Sequence, residues 1–338
     1  LVSLDLQLCN FDGELPTTIS ALTNLEYLKL AGNGFSGSLP DAITTLTKLK
    51  ELRLQNNRLN GNNGFQGMIP RGIGALTKLV ELRLENNGFE GMIPRGIGAL
   101  VGLTELDLHH NKLNGIIPED IWNLTSLVKL DLRWNDFRGL SLSPSKASAM
   151  SALNELELGT NPNLLDKGST TLISLPAELG MLLKLTRLDL SVTMTTSFIN
   201  SSSLDILSSL TNLEVLDMGF CRVRGRLPTS MSRLSKLSEL NFQVNELTGP
   251  IPNEILAPEL RRLDLQQNKF TGPLPPKLAN LTDLTSLQLG SNKLTGPIPM
   301  GLGNLTSLRS VDLSKNNFTC PIPNEILAPE LRRLDLQQ

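Results

Sequence analysis

The feature that most constrains this chain is a segment that occurs twice in succession. Residues 64–84 read GFQGMIPRGIGALTKLVELRL, and residues 88–108 read GFEGMIPRGIGALVGLTELDL, a displacement of 24 residues. A catalytic site gains nothing from an adjacent copy of itself, whereas a structure built by stacking similar units requires one. The question is therefore how far the period extends.

The period extends along the whole chain when the register is set by the pattern LxxLxLxxN. The 338 residues hold thirteen complete units and a partial fourteenth, so we predict one array over residues 1–338. Irregular units lie within residues 127–212, where stretches rich in Ser, Thr, Gly and Asn indicate either protruding loops or diverged units. The units begin at Leu1, Leu25, Leu49, Leu79, Leu103, Leu127, Leu153, Leu185, Leu213, Leu237, Leu260, Leu284, Leu308 and Leu331.

The residue pattern of each unit predicts that the unit forms one coil of the chain. In the fourth unit, Leu82 and Leu84 alternate with charged residues, the period of two that a strand with one buried face has. A single coil cannot enclose its apolar side chains, but coils stacked on both sides can. We therefore expect the strands of successive units to pair in parallel. The other inward residues expected in this unit are Leu79, Phe89, Ile93, Ile97 and Leu100.

The ninth position of the unit is usually asparagine, whose amide offers both donors and an acceptor. A column of such side chains can satisfy the backbone where each coil leaves the strand. Cys9, Thr193 and Cys221 occupy the same position, and we predict that both cysteines are small buried substitutes. Gly-x-Ile/Leu-Pro follows, where glycine permits a positive φ; Cys320 replaces that glycine and is expected to be partly exposed.

Composition excludes several classes of function. The formal net charge is −2, which gives no electrostatic reason to bind nucleic acid or an anionic membrane. The three cysteines have no metal-ligand spacing, and the two histidines are adjacent. We predict no enzymatic activity, no cofactor and no membrane contact within this segment.

The unit resembles the plant-type leucine-rich repeat, LxxLxLxxNxLxGxIPxxLxxLxx. Residues 284–307, LTSLQLGSNKLTGPIPMGLGNLTS, match it position by position. The resemblance implies an α/β solenoid: a right-handed superhelix with a long parallel sheet on the concave face and 3-10 or irregular segments on the convex side. The cysteine-paired caps of the family are missing here, so we expect an excerpt of a longer protein.

The resemblance also implies three functional hypotheses. The first is the extracellular ectodomain of a receptor-like kinase or receptor-like protein that binds a peptide or protein, with a co-receptor as a further partner. The second is a secreted inhibitor of a cell-wall hydrolase, similar to polygalacturonase inhibitors. The third is a structural role in adhesion or ice binding, suggested by a threonine column that is also ordinary repeat framework: Thr248, Thr271, Thr295 and Thr319.

Variable side chains on the sheet lie at the third, fifth, seventh and eighth positions of each unit. Trp134 is the candidate aromatic anchor, and Arg133 or Arg83 the candidate clamp for a carboxylate. The alternative is a solvated face whose opposite charges pair across strands. Phe220, with Val192 and Val244, forms either an exposed apolar strip or a partly buried edge. The predicted ligand-binding residues are Arg53, Glu81, Arg83, Glu85, Asp107, His109, His110, Asp131, Arg133, Trp134, Glu155, Glu157 and Phe220.

Two further kinds of site were considered. His109 shares a sheet face with Glu85, Asp107 and Asp131, but side chains on such a face are expected to splay apart, so we predict no metal site. Five N-x-S/T sequons indicate a glycoprotein outside the cell or at its surface, although NLT also belongs to the repeat framework. The predicted glycosylation sites are Asn123, Asn200, Asn280, Asn304 and Asn317.

Overall fold

The computed structural model describes residues 1–57, 64–165, 172–193, 197–319 and 331–337. It divides into two compact units, residues 1–166 and 167–338, which we treat separately. Cys320 and most of the second copy of PIPNEILAPELRRLDLQQ lie outside the described residues.

Each unit contains a parallel sheet with one short strand per repeat. Adjacent strands pair without a shift of register, so that Leu82 lies opposite Leu106 and Arg83 opposite Asp107. The strands of the first unit are Ser3–Asp5, Tyr27–Lys29, Glu51–Arg53, Glu81–Arg83, Glu105–Asp107, Lys129–Asp131 and Glu155–Glu157. Those of the second unit are Arg187–Asp189, Val215–Asp217, Glu239–Asn241, Arg262–Asp264, Ser286–Gln288, Ser310–Asp312 and Arg333–Asp335.

A second row of short parallel strands follows the asparagine of each repeat. In the first unit these are Asp12–Glu14, Gly34–Ser36, Gln66–Met68, Gly88–Gly91, Lys112–Ile117 and Asp136–Leu140. In the second unit they are Leu172–Ile173, Phe198–Asn200, Val223–Gly225, Glu246–Gly249, Lys269–Gly272, Lys293–Gly296 and Asn317–Phe318.

Each coil then turns through a short helix, almost always of the 3-10 type. The proline of Gly-x-Ile/Leu-Pro stands immediately before most of these helices; Pro94, for example, has φ −67° and ψ 137°, an extended conformation that its ring favours. The 3-10 helices are Thr17–Ala21, Asp41–Thr45, Arg71–Ala75, Arg95–Ala99, Glu119–Asn123, Ala177–Met181, Ser201–Ser209, Thr229–Arg233, Asn253–Ile255, Pro276–Asn280 and Met300–Asn304, and Pro144–Ala149 is α-helical. The predicted α/β solenoid, with a parallel sheet and 3-10 connections, is confirmed.

The core of each unit is made of leucines stacked from repeat to repeat. The inward residues predicted for the fourth repeat are all buried, from Leu79 to Leu100. The first unit adds a row of stacked aromatic rings, Phe11, Phe35, Phe65 and Phe89, with centroids 5.9 to 6.3 Å apart. Such pairs stabilise a core beyond their buried area, so the first unit is not held by leucine alone.

The asparagine column joins neighbouring coils through the backbone. The Asn245 amide donates to the carbonyls of Met218 and Phe242, both at 2.9 Å, and its oxygen accepts the N–H of Val223 at 2.8 Å. Cys221 is fully buried in this column, as predicted, and burial raises the pKa of its thiol to about 12. The prediction for Cys9 is wrong, because its side chain is exposed.

The irregular repeats are diverged coils wherever the structure describes them. The stretch SPSKASA, expected as a protruding loop or a diverged unit, contains the α-helix Pro144–Ala149, and Ala147 and Met150 are buried against the core. The serine-rich stretch after Asn200 forms the 3-10 helix Ser201–Ser209, whose first turn is capped by the Asn200 side chain. The polar composition of these two stretches therefore did not indicate that each forms a short helix.

The eighth position has a left-handed backbone throughout the described repeats. Its non-glycine residues have φ between 51° and 59°, and Gly32 has φ 69°. This conformation costs a residue with a Cβ atom roughly 1–2 kcal/mol of free energy, and bulky or β-branched residues are the least suited to it. Asparagine tolerates it best, and Asn56 and Asn86 occupy this position.

Replacing Val244 by asparagine is therefore expected to raise the free energy of unfolding by about 1 kcal/mol, because the β-branched side chain leaves a left-handed position. Urea denaturation followed by circular dichroism measures the change. Val215→Asn, in the strand Val215–Asp217, is the matched control, and its free energy of unfolding is not expected to rise. Equal changes in the two variants would show that the backbone conformation is not the cause.

Candidate functional site

The sheet face, defined as the side chains at the third, fifth and seventh positions, lies opposite the buried leucines. In the first unit it carries a continuous chain of ion pairs. Arg53 contacts Glu81 at 2.8 Å, and Arg83 contacts Glu81 at 2.6 Å and Glu105 at 2.9 Å. Arg53 and Arg83 are thus occupied by internal partners, as the paired-charge alternative expected. A ligand carboxylate would have to displace Glu105 or Glu81 to reach them.

A denser group lies on the next strands and involves Asp107, His109 and Asp131, which we term the acid–histidine cluster. Nδ1 of His109 lies 2.7 Å from Oδ1 of Asp107 and 3.6 Å from Oδ2 of Asp131. One side-chain ligand atom from each residue lies within 4.8 Å of the other two. The expectation that these side chains splay apart is wrong.

The reason is the shortness of the strand. The strand Glu105–Asp107 ends at the fifth position, and the chain turns there, so the His109 backbone N–H donates to Oδ1 of Asp107 at 3.1 Å. The imidazole at the seventh position folds back over the carboxylate at the fifth instead of projecting parallel to it. Side chains on longer, flat strands would stay apart.

Arg133 connects this cluster to the following strand. Its guanidinium contacts Oδ2 of Asp131 at 2.6 Å and Oε2 of Glu157 at 3.0 Å. Both carboxylates are almost completely buried. Arg133 therefore balances buried charge, and a ligand carboxylate would have to displace Asp131 or Glu157 to be clamped by it. Glu155 stands at the edge of this group, 3.9 Å from Lys129.

Glu85 is a buried acid of this face in the first unit, and no ion pair within the described residues includes it. Its side chain is buried, with 5% of its surface exposed, and its Oε2 makes no hydrogen bond. Burial, together with the charge of Asp107, raises the pKa of Glu85 to about 7. For His109, burial alone would lower the pKa, but the hydrogen bond to Asp107 and the charges of Asp107 and Asp131 outweigh it, so the pKa is raised.

Trp134 is the large aromatic residue exposed at the edge of this face. It is 55% exposed, has φ 55°, and its ring lies 5.8 Å from that of His110, with an angle of 30° between the planes. A shallow cavity of about 400 Å³ beside it is lined by Asn111, Lys112, Trp134, Asn135, Asp136, Thr160 and Pro162. The structure thus presents Trp134 and His110 as a paired aromatic surface, while His109 points into the cluster.

The second unit carries the apolar residues predicted at the eighth position. Phe220 is 45% exposed, whereas Val192 and Val244 are only partly exposed. The eighth-position residues therefore form one exposed phenylalanine ring flanked by two half-buried valines. The partial burial of the valines agrees with the alternative interpretation, a partly buried strand edge.

The predicted glycosylation sites differ in accessibility. Asn280, Asn304 and Asn317 are exposed, whereas Asn123 and Asn200 are partly buried. The Asn200 side chain caps a helix, and the Asn123 oxygen accepts a hydrogen bond from Lys146. A glycan at either of these two positions would have to break that contact.

One surface of the first unit was not identified from the sequence. A cavity of about 1160 Å³ lies along the strands of the second row and the following helices. Its wall includes the exposed side chains of Met68, Met92 and Ile116. The signal was present in the sequence, because these residues occupy the same position, after glycine, in three successive repeats.

Comparison with known proteins assigns the family. A leucine rich repeat model matches residues 76–137 and 258–318, and a second one matches residues 24–46. The chain is a leucine-rich-repeat protein. No curated protein matches it at a significant level. Among the described residues of this leucine-rich-repeat protein, no helix combines the length and the apolarity that crossing a bilayer requires.

Several of the solved structures similar to this leucine-rich-repeat protein are plant receptor ectodomains. A TDR receptor is 31% identical with a TM-score of 0.87, and the match covers 99% of this chain and 55% of that one. The PEPR1–AtPEP1 structure is 26% identical, with a TM-score of 0.73 and coverage of 99% and 51%. The ectodomain of the receptor kinase GASSHO1/SCHENGEN3 from Arabidopsis thaliana, in complex with CASPARIAN STRIP INTEGRITY FACTOR 2, is 29% identical, with a TM-score of 0.61 and coverage of 96% and 43%. The chain thus spans about half the length of these relatives.

Proposed function

We propose that this chain is part of the extracellular ectodomain of a receptor-like protein and that it binds a peptide or protein ligand on its sheet face. The observation that carries the proposal is the similarity to plant receptor ectodomains over almost the whole chain. Two of these relatives are solved with a named peptide or factor bound. The exposed sequons Asn280 and Asn304 suit a secreted location.

The first unit supplies features that suit such binding. The ion pairs and the buried acids hold the sheet face rigid, so little conformational entropy is lost when a ligand binds. Trp134 lies at the edge of this face with more than half of its surface exposed. Tryptophan is enriched among residues that dominate binding energy, because its large ring buries apolar area at a low entropic cost.

The proposal is tested by peptide capture on the immobilised chain. The probes are AtPEP1, CASPARIAN STRIP INTEGRITY FACTOR 2 and a displayed library of random linear peptides. We expect at least one peptide to bind, and we expect Trp134→Ala to weaken that binding about 30-fold, the loss of roughly 2 kcal/mol typical of an aromatic anchor.

Met92→Ala is the matched control, because Met92 is also highly exposed but directly follows the second-row strand Gly88–Gly91. Its affinity is expected to equal that of the unmodified chain. Capture of no peptide, or equal losses in the two variants, would contradict binding at Trp134.

A further inference from the structure

We propose that Asp107, His109 and Asp131 form a binding site for a divalent transition-metal cation, next to Glu85, which holds the same position in the preceding repeat as His109 does in its own. Their ligand atoms converge, with Nδ1 of His109 lying 2.7 Å from Asp107 and 3.6 Å from Asp131. Ligand atoms around a tetrahedral cation, at metal–ligand distances of about 2.0–2.2 Å, are separated by about 3.5 Å. The three groups therefore need only small movements to enclose a cation.

Each of the three side chains is already oriented by another group. Asp107 accepts the His109 backbone N–H at 3.1 Å. His109 Nε2 lies 3.3 Å from Nδ2 of Asn86, and turning this amide over places its oxygen there, where it accepts the Nε2–H that ligation through Nδ1 requires. Arg133 contacts Asp131 at 2.6 Å and is itself held by Glu157 at 3.0 Å. Groups of this kind, behind the metal ligands, fix the orientation that a metal site requires. Because a carboxylate oxygen has two lone pairs, Oδ2 of Asp131 can contact Arg133 and a cation together.

The buried carboxylate of Glu85 provides a second, independent observation that points to a bound cation. Its carboxylate is 5% exposed, and its Oε2 has no hydrogen-bond partner. The charges of Asp107, His109 and Arg83 act on this carboxylate, that of Asp107 most strongly. A buried carboxylate oxygen without a partner is costly, and a cation held by the same cluster would supply the missing interaction.

The local charge supports the same assignment. Three buried carboxylates, those of Asp107, Asp131 and Glu157, surround His109 and Arg133. With His109 neutral, as a metal ligand must be, this group carries an excess of two negative charges. A divalent cation would balance that excess, whereas a monovalent one would leave part of it buried.

The donor set selects the class of cation. One imidazole nitrogen with two carboxylates, and water at the remaining position, suits Zn²⁺ and related first-row ions, whereas Ca²⁺ and Mg²⁺ prefer six or more oxygen ligands. We therefore choose Zn²⁺ as the probe for affinity and Co²⁺ as the probe for geometry, since its visible spectrum reports the coordination number.

The test is isothermal titration of ZnCl₂ into chelator-treated, untagged full chain at pH 7.5, compared with His109→Ala and Asp131→Asn. We expect one saturable site per chain, with affinity reduced at least 10-fold in each variant. His110→Ala is the matched control, because His110 is adjacent in sequence but stacks on Trp134, and its Zn²⁺ affinity is expected to be unchanged. MgCl₂ is expected to give no saturable heat.

Circular dichroism verifies that the variants are folded, and Asp131→Asn supplies the second variant if His109→Ala is not. An increase in the thermal midpoint of the unmodified chain by Zn²⁺, absent in the folded variant, is the second expected readout. The absence of saturable Zn²⁺ binding up to 1 mM (about 4 kcal/mol of binding free energy), or equal losses in the His109 and His110 variants, would overturn the proposal. These readouts do not depend on peptide capture, so the two proposals can fail separately.

Discussion

Replacing Asn245 by alanine is expected to lower the free energy of unfolding by about 3 kcal/mol, because buried backbone groups lose their partners. The amide donates to the Met218 and Phe242 carbonyls at 2.9 Å, and its oxygen accepts the N–H groups of Cys221 at 3.2 Å and Val223 at 2.8 Å. Alanine offers none of these bonds. Urea denaturation at pH 7, followed by circular dichroism, measures the loss.

Two further variants separate this effect from a general effect of the substitution. Asn280→Ala removes an exposed amide and is expected to change the free energy of unfolding by less than about 0.5 kcal/mol. Asn245→Asp keeps the acceptor but cannot donate, so we expect it to destabilise the chain as well. If Asn245→Ala and Asn280→Ala are equally stable, the column of asparagines does not hold the coils together.

Stability is expected to depend on pH through Asp264 in the second unit. Burial, with the charges of Asp217 and Asp312, raises the pKa of Asp264 from 3.8 to about 6, despite the hydrogen bonds from Gln266. The folded chain therefore holds this proton more tightly than the unfolded chain. The resulting stabilisation is fully present below pH 3.8 and is lost as the pH rises through 6.

Asp264→Asn is expected to stabilise the chain at pH 8 by about 2 kcal/mol and to leave its stability at pH 4 nearly unchanged. The neighbouring strand already carries asparagine at this position: Asn241 accepts the Gln243 N–H at 2.9 Å, so the same bond to Gln266 can be kept. Chemical denaturation at several pH values measures the effect. The exposed Asp283→Asn is the control, and a benefit of Asp264→Asn that does not grow with pH would contradict this explanation.

The sequence alone was sufficient for the fold because each structural position is repeated many times. Leucine at the first, fourth and sixth positions, asparagine at the ninth and proline before the helix all recur, so an exception in one repeat does not hide the rule. Cys9 and the helix Pro144–Ala149 are instructive exceptions. In each case, the exposure of the side chains depends on their packing against other coils. The composition of a single coil does not reveal this packing.

The candidate site was predicted less well. Its residues were correctly placed on one sheet face, but the contact of His109 with Asp107 depends on the turn that follows a three-residue strand. The left-handed eighth position also went unnoticed, although Gly32, Asn56 and Asn86 in that column were a visible signal for it. Side-chain direction at a turn follows from local backbone angles, and the repeat pattern alone does not specify them.

The asparagine column has a consequence for how such a chain can evolve. The amide of Asn245 meets only main-chain atoms of the adjacent coil, and those atoms are the same whatever side chains the coil carries. A gene segment that encodes one coil can therefore be copied beside itself without any new complementary residue having to arise, as residues 64–84 and 88–108 illustrate. Unequal recombination can lengthen the array while the surface residues of each copy diverge independently.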